Sequence, residues 1–106
     1  MKREDVTAWL ATRKPGRPVE LASRMDEVVA AADEGAIIAV PTMAETLALI
    51  AADLLARVAG STDPRSRGLA LDLLAADAFV TYAFEAAAEE EVEVAPLVSR
   101  LLAEVS

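Results

Sequence analysis

The chain is 106 residues long, 55% apolar but only 4% aromatic, and carries a formal net charge of −8. It contains no cysteine and no histidine, which excludes disulfides, thiolate and imidazole metal ligands, cysteine nucleophiles and the Ser-His-Asp arrangement. That length fits one domain, residues 1–106, and the surplus of alanine favours closely packed helices over a cavity lined by rings.

The first helix is expected from about Glu4 to Arg13, with Val6, Trp9 and Leu10 at i, i+3 and i+4 on one short apolar face. Lys14-Pro15-Gly16-Arg17-Pro18 must end it, because two prolines and a glycine fall within four positions. A second helix starts near Pro18, carries Leu21, Met25, Val28, Val29 and Ala32 on one face, and stops at Gly35. Residues 36–40, β-branched and followed by Pro41, read as a buried extended connector. A short strand or one further helical turn is the alternative for that stretch.

Thr42-Met43-Ala44-Glu45 matches a capping box and opens a third helix to about Ala59, closed by Gly60. A fourth helix is predicted from Asp63-Pro64 to about Glu90. Pro96 then starts a fifth, ending near Val105, with Leu97, Leu101 and Val105, together with Val98 and Leu102, on its apolar face. The expected fold is all-α: a compact bundle of four to five helices, with the third and fourth central, behind a basic arm and turn at 1–18.

Charge divides along the chain. Residues 1–24 hold six basic side chains against three acidic ones, a balance of +3, and the rest holds four against fifteen, a balance of −11. The body should repel nucleic acid and anionic membrane. Asp53 and Asp77 interrupt the longest apolar stretches, so no membrane span is expected. Cytoplasm is the expected location, and no cofactor is expected.

The fourth helix carries the main inference. On a wheel of about 100° per residue, Leu69, Leu73, Ala76, Val80, Ala83, Phe84 and Ala87 cluster on one side. Leu71, Ala75, Ala78, Phe79, Tyr82 and Ala86 occupy much of the other, and Asp77, Thr81 and Glu85 form a narrow polar seam. Apolar residues nearly all round imply burial on both sides. Leu71, Ala75, Phe79 and Tyr82 are therefore the expected interface of a homodimer, with a protein partner as the broader expectation.

Two alternatives concern chemistry. Asp53, Asp77 and Glu85 are the candidate carboxylates for a metal- or ligand-dependent helical enzyme, with Asp72, Glu90 and Glu93 as further acids. Their bland reading is a solvated seam, and no catalytic residue is assigned. Ser61 and Ser66 have no base beside them in the sequence. Arg13, Lys14 and Arg17 are the candidate contacts for DNA, although nucleic acid is not the expected partner.

Two short resemblances accompany these readings. Ala76 to Glu85 resembles a helix segment of trans-polyprenyl diphosphate synthases over about a tenth of the chain. It implies a helical scaffold only, because the aspartate-rich Mg²⁺ motif of those enzymes has no counterpart: the chain has no Asp-Asp pair. Lys14-Pro15-Gly16-Arg17-Pro18 resembles an AT-hook, which implies minor-groove contact, but Pro15 stands where that motif has arginine.

Overall fold

The computed structural model describes residues 1–61 and 67–105. Their helices are α1 (Arg3–Ala11), α2 (Val19–Ala31), α3 (Glu34–Ile38), α4 (Met43–Ala59), α5 (Arg67–Glu90) and α6 (Ala95–Val105). No strand occurs among the described residues, so the class is all-α. The expected start of the long helix at Asp63-Pro64 lies outside the described residues.

One difference from the sequence reading falls between α2 and α4. The second helix stops at Ala31, not at Gly35, because Ala32 turns extended with ψ 147°. Asp33 then caps a new short helix: its carboxylate accepts from the Gly35 amide at 3.0 Å. Gly35 is thus an early residue of α3, not a terminator, and residues 36–38 take the helical alternative. The local signal was Asp33-Glu34, an N-cap followed by an acid where the helix dipole favours one. The Met1 ammonium closes the other end, donating to the carbonyls of Ile37, Ile38 and Val40 at 3.0–3.1 Å.

α4 is the centre of the bundle. Its face Ala44, Leu47, Ala48, Ala51 and Leu54 is sealed, and α5 and α6 both pack along it, with α1 and α2 completing the enclosure. Small side chains on both partners, Ala44, Ala48 and Ala51 against Ala75, Ala76, Ala83 and Ala86, are all fully buried. Alanine faces let backbones approach closely at almost no side-chain entropy loss. Thr46 is the one buried polar side chain among the described residues, and its hydroxyl donates to the Thr42 carbonyl at 2.7 Å.

Local chemistry sets the helix ends. Thr42 Oγ1 accepts from the Glu45 amide at 3.1 Å, the N-cap half of the expected capping box. The Met43 and Ala44 amides are closed from a distance, by the two carboxylate oxygens of Glu90 at 2.9 and 2.8 Å. The end of α5 is thereby fastened to the start of α4, with a negative group at the positive end of the helix dipole. α5 itself ends with Glu91 at φ 55° and the Val92 amide donating to Ala87 O at 3.0 Å. This is a Schellman closure in which glutamate occupies the position that glycine usually takes.

Candidate functional site

The residues assigned to a dimer interface separate in the structure. Ala75 and Phe79 are each 0% exposed, enclosed by this chain's own helices. Leu71 and Tyr82 are half-buried flanks of the same side. Within the chain Ala75 and Phe79 are thus core side chains, and of the four only Leu71 and Tyr82 keep exposed surface. The physical reason is coverage. The wheel counted two apolar sides as more than one small chain conceals, but α4 and α2 pack along the sector from Ala75 to Ala87, and Trp9 and Arg13 close its flank. Asp77, Thr81 and Glu85 do form the solvent-facing strip of α5.

The basic turn is folded back on the body. Arg13 lies 4.0 Å above the Trp9 ring and pairs with Glu85 at 3.1 Å and with Glu89. Trp9 Nε1 donates to Glu89 at 3.3 Å, and the Trp9 and Tyr82 rings meet edge to face with centroids 6.0 Å apart. These contacts form one staple between α1 and α5. The Arg13 guanidinium holds the Glu89 carboxyl below its ordinary value, chiefly through their hydrogen bond, and Arg13 is raised by the same pairing. Arg17 turns toward α2, 3.5 Å from Asp26, with its side chain 9% exposed. Of the three DNA candidates only Lys14 faces solvent. A minor-groove hook needs its arginine extended, and here both arginines have internal partners.

The carboxylates assigned to a metal are dispersed. Asp53 pairs with Arg57 on α4 at 2.9 Å, Glu85 belongs to the Arg13 staple, and Asp77, on the outer strip of α5, makes no ion pair among the described residues. Asp72 is bound to Arg24, and Glu90 caps α4. Burial opposes the Arg24 charge, but the Asp72 hydrogen bond outweighs it and raises the guanidinium further. Among the described residues no group of three or more acidic side chains is placed to hold a metal ion.

A cleft of about 230 Å³ lies between α2, α3 and α4. Val28, Ile37, Leu49 and Ile50 line it, with Asp53 and Arg57 on its polar rim. It is smaller than the roughly 300–1,000 Å³ of most small-molecule sites. Leu49 and Asp53 also border a second, shallower cleft completed by Ala52, Ala56 and Arg100.

Besides Val19 and Ile38, the structure leaves uncovered a set of large apolar side chains outside the interface read from the wheel. Leu73 and Leu74 on α5 are 48% and 59% exposed. Along α6, Val94, Val98 and Leu102 are 43%, 36% and 56% exposed, while Leu97 and Leu101 face inward. The sequence places Val98 and Leu102 on one apolar face with Leu97 and Leu101, and the structure divides that face into an inward row and an exposed row at 94, 98 and 102. Among the described residues no helix is long and apolar enough to cross a membrane. No family model matches the chain, and neither a curated protein nor a solved structure does.

Proposed function

We propose that this chain is a non-enzymatic helical interaction module. The observation that carries the reading is the exposed apolar surface of α5 and α6, Leu73, Leu74, Val94, Val98 and Leu102, on a chain whose interior is closed. Single exposed apolar side chains need no explanation, but a row along one helix beside another exposed pair marks a contact surface. Among the described residues no buried side-chain nitrogen or oxygen lacks a hydrogen-bond partner. The polar interior is used for folding, and the unsatisfied capacity of the molecule is apolar and outside.

On this reading self-association, expected from the long helix, uses this outer surface, since Ala75 and Phe79 are interior. Light scattering over a wide concentration range, on the wild type and on Val98→Glu, measures it directly. The carboxylate-enzyme reading makes a different forecast for Asp53, Asp77 and Glu85: saturable thermal stabilisation by Mg²⁺ or Mn²⁺. The module reading expects no such shift, and a large saturable one overturns it. For the basic turn, the module reading expects no binding to A·T-rich duplex even at low salt, and none that Arg17→Ala removes.

A further inference from the structure

We propose that the face between α5 and α6 docks a basic amphipathic helix. This rests on the interaction-module reading and names its partner. The face is defined by the order of helices around α4. Ile50 and Arg57 of α4 share a cleft with α2 and α3, whereas Ala52 and Ala56 share one with Arg100 of α6. The remaining sector, around Leu47 and Ala51, belongs to α5, so α5 lies between the other two. Half-buried Leu55 falls between the α5 and α6 sectors.

Each helix turns an apolar flank to that side. On α5 the flank toward α1 and α2 is fixed by Tyr82 against Trp9 and by Glu85 against Arg13. Helical spacing places Leu73, Val80 and Phe84 on the opposite flank, toward α6. On α6, Arg100 marks the flank beside Ala52 and Ala56. Val94, Val98 and Leu102 lie across the inward row from it, toward α5. Helical spacing thus sets the two flanks toward each other as the walls of the proposed trough, with half-buried Leu55 between them.

Charge selects the occupant. Residues 68–103 contain seven acidic side chains and one basic, Arg100, which lies on the far flank. Four of those acids already have protein partners: Asp72 with Arg24, Glu85 and Glu89 with Arg13, and Glu90 at the α4 terminus. Asp77, Glu91 and Glu93 are exposed and make no ion pair among the described residues. Asp77 adjoins the Leu73 and Phe84 flank, and Glu91 and Glu93 stand at the α5–α6 turn. A second copy docking through the same face brings the same acidic rim, and so like charge. A helix with an apolar row between lysines or arginines brings the opposite sign, and such a helix fits a trough by laying its apolar face inward.

The test uses the full chain and two synthetic amphipathic helices with the same apolar face, one bearing lysine and one glutamate at the polar positions. Fluorescence anisotropy should show the lysine peptide binding at least about tenfold more tightly, with the preference falling as salt rises. Val98→Glu should weaken it about tenfold or more, while Ala8→Glu, in the α1–α2 trough, leaves it unchanged. Asp77→Lys, a surface change that keeps the fold intact by circular dichroism, should weaken the lysine peptide and strengthen the glutamate peptide. Equal binding of both peptides, or indifference to Val98→Glu, overturns the proposal. Self-association abolished by Val98→Glu overturns the basic partner but keeps the module reading. Absence of both peptide binding and self-association ends both.

Discussion

Replacing Phe79 with alanine separates a core role from an interface role. Phe79 is 0% exposed, and so are Ala75, Ala76, Ala83 and Ala86 on the same helix. A Phe→Ala change in a core costs about 3–5 kcal/mol, more where the surroundings cannot collapse into the space. Alanines have no rotamers with which to fill a void, and the α4 face nearby is also largely alanine, so the upper half of that range is expected. A chain of this size has a total stability of about 5–15 kcal/mol, so the variant should be marginal and Phe79→Leu provides the milder step, about 1.5 kcal/mol or less. Urea denaturation followed by far-UV circular dichroism gives the loss. With a slope of about 1–3 kcal/mol per M, Phe79→Ala should lower the midpoint by more than about 1 M at every protein concentration. A loss under about 1 kcal/mol, or one that appears only at concentrations where wild-type oligomers form, refutes the placement of Phe79 in the interior.

Three further outcomes follow from single contacts. Glu90→Ala opens the Met43 and Ala44 amides at the start of α4 and should cost about 1–2 kcal/mol by urea denaturation, in the range of a lost helix cap. Glu91→Gly places the residue that tolerates φ 55° at the end of α5 and should stabilise by roughly 0.5–1 kcal/mol, read as a rise in thermal midpoint. Glu89 is held below its ordinary value of 4.5 by Arg13. Its stabilisation is therefore present above that value and lost as pH falls through the lower folded-state value. The midpoint gap between wild type and Glu89→Gln should be full at pH 6 and above and shrink toward pH 3; a gap independent of pH contradicts the staple.

Much of the bundle is legible in the residues themselves. The proline-glycine turn at 15–18, the Thr42 cap and the Gly60 stop act through backbone geometry and hydrogen bonds within a few residues, so their effects are local. The absence of histidine and cysteine likewise excludes whole chemistries without any coordinates. Asp33 was equally readable as a cap and shows how a glycine two positions later can be mistaken for a helix end.

Which apolar residues face a neighbour is another matter, because a wheel gives the angle of a side chain and not the position of the helices around it. The α5 wheel placed Phe79 correctly among apolar residues but could not show that α2 and α4 converge on that sector. It could not show that Glu90, apparently part of a solvated Ala/Glu run, reaches the amides of Met43 and Ala44 across 46 and 47 residues. Nor could it show that Arg13 and Arg17, adjacent in a basic turn, are each drawn to a different acidic helix. Capping and proline geometry operate over a single turn, so the turn at 15–18 and the Thr42 cap could be read locally, whereas the α2–α3 break was misplaced. Tertiary packing alone decided which charges were already matched and which apolar rows were left outside, because those outcomes depend on surfaces distant in the chain.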